Sequence, residues 1–150
     1  MIRSKTEQTI ARSVEDVWTY AADTVRHPEW MGVADARVVR GEGGEVGDRG
    51  RERLLFGPFR WDAEFEVSEA VPGRRIVWRL VAGPPFQGEL ALDLEPVGPT
   101  STRATYGLAL QMRGVWRLLS PLLAMEAKAG PARELRRLKE KVEVMARATS

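Results

Sequence analysis

His27 is the one histidine of this 150-residue chain, and there is no cysteine. A Ser-His-Asp relay or a histidine-based metal site would have to be built on that residue, while thiol nucleophiles, disulfides and zinc–thiolate sites are excluded. His27 stands beside Pro28 where a helix would start, a place where polar side chains commonly cap, and it reads as a cap rather than a catalytic base. The sharper choice lies at residues 51–53. Arg51-Glu52-Arg53-Leu54-Leu55-Phe56 is followed by Gly57-Pro58 and then Phe59-Arg60-Trp61, two strands joined by a tight turn. With a two-residue turn, Phe56 faces Phe59, Leu54 faces Trp61 and Glu52 faces Ala63, all on the inward side. Glu52 would then be an enclosed carboxylate. Burial disfavours its charged form, leaving an acid/base group able to protonate a carbonyl or remove an α-proton. Slipping the turn by one residue instead sends Arg51 and Arg53 inward, a basic site suited to an acidic or enolate-bearing ligand.

Other candidate chemistry is thinner. Gly41-Glu42-Gly43-Gly44-Glu45-Val46-Gly47 is glycine-dense, but Val46 occupies the third glycine position of GxGxxG and no GK[ST] follows. Glu42, Glu45 and Asp48 would also repel a phosphate, so the segment reads as a hairpin loop. No cofactor or metal is expected. Basic and acidic residues number 23 and 21 and alternate along the chain, without the basic stripe of a nucleic-acid binder. Arg greatly outnumbers Lys and Asn is absent, a bias associated with GC-rich bacterial coding. No apolar run approaches the ~20 residues of a membrane span. A soluble, cytoplasmic protein is expected.

The elements that position these residues follow from periodicity. Phe59 to Val67 alternates apolar and charged residues, the mark of a strand with one dry face, and Arg75 to Leu80 resumes the pattern after the Val71–Arg74 turn. Residues 2–10 form a first strand. Ser13-Val14-Glu15-Asp16 is a capping box opening a helix whose stripe is Val14, Val17, Trp18, Ala21, Ala22 and Val25. Pro28 stops it and opens a second short helix. Six strands from residue 35 onward, separated by turn residues, predict an antiparallel meander. Leu118, Leu122, Met125, Ala129, Ala132, Leu135, Leu138, Val142 and Met145 then mark one long helix, which Gly130-Pro131 should kink or split. The run from Trp116 to Met125 is apolar on most faces and reads as a helix buried on the sheet, with a gate or lipid-facing lip as the functional alternative. Trp61, Trp78 and Tyr106 share the inward parity of three strands. Ala124, Ala127 and Ala129 leave space opposite them.

Five local runs carry a family likeness: Ile10 to Trp18, His27-Pro28-Glu29-Trp30, Val46 to Gly50, Pro72 to Trp78 and Thr100 to Tyr106. With the element order, they resemble the START-like superfamily, with its polyketide cyclase/dehydratase and lipid-transport members. The resemblance covers nearly the whole chain, as one domain over residues 1–150, and specifies architecture more than chemistry. It implies an α+β helix-grip fold: a curved antiparallel seven-stranded sheet with two short helices and a long C-terminal helix enclosing an apolar cavity. The implied function is binding of a small hydrophobic or amphipathic ligand (lipid, polyketide-like or isoprenoid) as carrier or sensor. A cyclase/aromatase-like enzyme with Glu52 as its catalytic group is the alternative, and an accessory protein docking through residues 116–126 is another. Ligand contacts are expected from Trp61, Trp78 and Tyr106, joined by Trp30, Leu54, Phe56 and Phe65. Leu90 and Leu108 on later strands, and Leu119 and Leu123 on the helix, complete the set. Transient membrane contact fits this reading; nucleic-acid binding does not.

Overall fold

Alternation builds the sheet. Ala63, Phe65 and Val67 are buried on one face, while Arg60 and Asp62 are exposed on the other. The computed structural model describes residues 2–56 and 58–149, with the side chains of Phe56, Ser120 and residues 146–149 outside the description. The chain runs through β1 (Ile2–Ile10), α1 (Val14–Ala21), a 3-10 turn (Thr24–Arg26), α2 (His27–Trp30), β2 (Val33–Arg40), β3 (Arg49–Phe56) and β4 (Phe59–Val71). It continues with β5 (Arg75–Ala82), β6 (Phe86–Gly98), β7 (Ser101–Met112), a second 3-10 turn (Gly114–Leu119) and α3 (Ser120–Thr149). The strands form one open, curved antiparallel sheet of seven strands, ordered β1-β7-β6-β5-β4-β3-β2. Register shifts in the β2–β3, β4–β5 and β6–β7 pairs mark irregularities that bend the strands.

The β3–β4 register is that of the two-residue turn: Glu52 pairs with Ala63, Leu54 with Trp61 and Phe56 with Phe59. Glu52 is therefore buried, whereas Arg51 and Arg53 are exposed. The convex face is laced with ion pairs such as Arg49–Glu66 at 2.8 Å and Arg75–Asp93 at 2.7 Å. Exposed pairs of this kind contribute little, so stability rests on the concave face.

That face grips α3. Leu135, Leu138 and Val142 are buried in the main core beside Ile10, Trp30 and Tyr106. The first half of the expected stripe is overturned: Leu118, Leu122 and Met125 are exposed, and Leu123 and Ala127 take the buried positions. The cause is the spacing. From Leu122 to Leu138 the stripe steps by three residues more often than by four, so it falls behind the ~3.6 residues of each turn and drifts round the continuous α3, while Leu118 lies on the 3-10 turn before it. Gly130-Pro131 does not split the helix either, for α3 is continuous through Pro131. The lost backbone bond is offset in part by packing, since the proline ring is fully buried. At α1, Ser13 Oγ accepts from the Asp16 amide at 3.3 Å, but the Asp16 carboxylate accepts from Arg12 rather than closing a capping box. No helix among the described residues is long and apolar enough to cross a membrane.

Candidate functional site

Between α3 and the concave sheet lies a cavity of about 70 Å³. Its apolar walls are Leu54, Phe65, Leu80, Phe86, Leu90, Leu108 and Leu110, with Gly130, Pro131 and Glu134 supplied by α3. Missing side chains make the room. A Cβ on Gly88 would stand 3.0 Å from Leu110 Cδ2, and one on Gly32 would stand 3.0 Å from Glu134 Oε1. Gly32 thus lets a carboxylate reach the backbone: its N–H donates to Glu134 Oε1 at 2.7 Å, while its carbonyl accepts from Leu55 N–H at 2.8 Å. At the rim, Arg133 donates to Glu126 at 2.6 Å.

Burial pushes the Glu134 carboxyl up to about 7, against the opposing pull of the Gly32 N–H, the Tyr106 hydroxyl and the Arg133 and Arg137 charges. Near neutral pH it is therefore divided between acid and carboxylate, able to donate or accept on the cavity wall. Behind it, burial raises Tyr106 well above the ordinary phenol range, with the Glu134 and then the Glu52 carboxylate adding to the effect. The Tyr106 hydroxyl is fully buried, with the Glu134 carboxyl as its polar neighbour.

Deeper still, Glu52 meets His27. Nδ1 of His27 lies 2.5 Å from Glu52 Oε1, and Nε2 donates to the Ala21 carbonyl at 3.1 Å. A carbonyl only accepts, so in this contact Nε2 is the donor and Nδ1 faces the carboxylate. Trp30 and Trp78 close over the pair, each edge-on to the imidazole with centroids 5.9 and 5.3 Å away. Trp30 also packs edge-on against Tyr106 at 5.5 Å.

Over residues 1–143 the chain matches the family described as polyketide cyclase/dehydrase and lipid transport. The chain belongs to this family. A comparison with curated proteins finds no match. Among solved structures, a START superfamily protein from Mycobacterium smegmatis is 17% identical with a TM-score of 0.82, covering 97% of this chain and 99% of that one. A protein from Thermus thermophilus is 22% identical with a TM-score of 0.76, covering 96% and 99%. The Zhui aromatase/cyclase from Streptomyces sp. R1128 is 15% identical with a TM-score of 0.72, covering 99% and 97%. At these identities the likeness is one of fold, and it is the helix-grip fold expected from the sequence.

Within this family fold, the residues expected at the site fall in different places. Leu54, Phe65, Leu90 and Leu108 line the cavity. Trp30, Trp78 and Tyr106 do not; they interlock in the main core because their rings fill the sheet's centre rather than border a space. Trp61 is half-buried at the other end of the sheet, stacked on Phe59 at 5.3 Å and edge-on to Trp116, with Leu119 and Leu123 in the same cluster. The Phe56 side chain lies outside the described residues. Glu52 points inward, but toward His27 rather than between Trp61 and Tyr106, and it is absent from the cavity wall. His27, expected as a cap, is instead that buried partner. Sequence reasoning missed Glu134, Leu80, Phe86 and Leu110. Glu134 left a trace: it falls seven residues after Ala127 and four before Leu138, a lone carboxylate in line with the buried helix face. Among the described residues, no cluster of three or more His, Cys, Asp or Glu could hold a metal ion.

Proposed function

We propose that the domain binds one small, largely apolar molecule bearing a single hydroxyl, carbonyl or carboxyl group, as a carrier or sensor. The observation behind this reading is the space between α3 and the sheet: its walls are largely leucine and phenylalanine, and burial raises the Glu134 carboxyl on them to about 7. Apolar walls supply affinity without direction, and one polar group fixes orientation. A half-protonated carboxyl suits an alcohol, carbonyl or acid equally, since it donates in one form and accepts in the other. A space of 70 Å³ admits the polar end of such a molecule. Its apolar body is accommodated by rotation of Leu54, Leu80, Leu90 and Leu108, all only half-buried. Lipids, polyketide-like aromatics and isoprenoids meet this description. Native mass spectrometry of the purified protein tests it: a co-purifying small molecule is expected, and Leu108→Trp, which fills the space, should eject it. A protein free of adducts, or an adduct indifferent to Leu108→Trp, would contradict the reading.

One observation favours a second reading, a cyclase/dehydratase-like enzyme. A wall carboxyl pushed up to about 7 can give a proton to a carbonyl or take one from an α-carbon, while the cavity supplies orientation. An enzyme would lose turnover on Glu134→Gln while keeping its ligand. A carrier would change affinity and have no turnover to lose.

A further inference from the structure

Val115 and Leu118 share a face of the second 3-10 turn, and Leu122 and Met125 share a face of the first turns of α3. They are 75%, 83%, 47% and 70% exposed. The opposite face of the same segment is fully used, with Leu123 and Ala127 buried against Phe86, Leu110 and Met112. Single exposed apolar residues are ordinary, but four large ones between residues 115 and 125 mark an interaction surface. The charges around it give its sign. Arg113, Arg117 and Lys128 are exposed, and no ion pair to them is formed among the described residues. The one acidic residue between Arg113 and Lys128 is Glu126, and Arg133 already holds it at 2.6 Å. Along residues 113–128 the surface is therefore an apolar stripe with a cationic border and no free carboxylate of its own.

We propose that this face docks the domain on an anionic lipid surface. Val115, Leu118, Leu122 and Met125 sit in the boundary between headgroups and acyl chains, and Arg113, Arg117 and Lys128 reach the phosphates. Long basic side chains suit that geometry because their stems are apolar and their heads reach outward. A self-associating dimer would bring two cationic borders together, which a sheet of phosphates does not. The helix that meets the lipid is the one that supplies Gly130, Pro131 and Glu134 to the cavity wall, but the docking itself stands whatever the cavity holds.

The test is co-sedimentation of the full chain with vesicles of phosphatidylcholine alone or mixed with phosphatidylglycerol. Binding to the mixed vesicles is expected, with little to phosphatidylcholine alone and a loss as salt rises. The pair Leu118→Glu/Met125→Glu should lower binding roughly tenfold or more, and Arg117→Gln/Lys128→Gln about fivefold for each charge removed. All four side chains are exposed, so the thermal midpoint should stay within the range of surface substitutions. Absence of binding to the mixed vesicles would overturn the proposal, as would binding indifferent to Leu118→Glu/Met125→Glu. So would a wild-type dimer that the same pair converts to a monomer with no vesicle binding, which would assign the face to a second copy of the chain.

Discussion

Glu134→Gln isolates the one cavity group whose titration the fold displaces. Glutamine keeps the shape of the side chain and an oxygen for the Gly32 N–H, but has no proton to exchange. In the unfolded chain the Glu134 carboxyl titrates near 4.5; in the fold, burial carries it to about 7. The folded state thus binds that proton more tightly than the unfolded state. Below 4.5 both states are protonated and the group has no effect; between 4.5 and 7 the wild type loses stability as pH rises; above 7 the loss is complete. A displacement of this size corresponds to at most about 3 kcal/mol, and the half-buried side chain's access to water in the cavity reduces it toward about 2 kcal/mol. Urea unfolding of both proteins from about pH 4 to about pH 9 measures it directly. Variant stability minus wild-type stability should rise by about 2 kcal/mol across that range. A gap that does not change with pH would refute the burial of the Glu134 carboxyl, whatever the gap's size.

The buried His27–Glu52 pair should be intolerant of losing one member. Glu52→Ala or His27→Ala should each cost about 3–5 kcal/mol, and the double variant less than the sum, in a denaturant-based double-mutant cycle. Leu138→Ala, at a fully buried position, should cost about 2–5 kcal/mol, whereas Leu118→Ala should fall within about 0.5 kcal/mol of wild type. Equal costs at the two positions would restore the single stripe from Leu118 to Val142. Leu108→Trp should abolish binding of an apolar fluorescent probe such as an anilinonaphthalene sulfonate, with overpacking costing about 1–3 kcal/mol.

The sheet was legible because a strand's period of two is short: nine residues from Phe59 suffice to assign the dry face, and the two-residue turn then set Glu52 inward through pairing alone. The C-terminal helix was legible in its second half, where Leu135, Leu138 and Val142 hold one phase. Its first half reads differently because a stripe of mostly three-residue steps drifts round a helix of ~3.6 residues per turn, and apolar residues on both faces of 115–127 gave periodicity nothing to choose between. Large rings mark the other limit of the pattern. Parity places Trp78 and Tyr106 inward, but cannot separate a ring that borders a space from one that fills it. That distinction depends on small residues opposite, here Gly32, Gly88 and Gly130, which come from three distant parts of the chain. The His27–Glu52 contact likewise joins residues 25 apart in sequence, and neither residue type signals the other.

The claim that the cavity receives an apolar ligand at Glu134 is tested most directly by methyl NMR of the leucine side chains during titration with a medium-chain n-alkanol. Saturable shifts are expected at Leu54, Leu80, Leu90 and Leu108, together with a change in the pH midpoint of the Glu134 carboxyl, while Leu138 in the core stays still. Shifts confined to Leu118 and Leu122 on the outer face of α3, or spread without saturation over the whole surface, would contradict it.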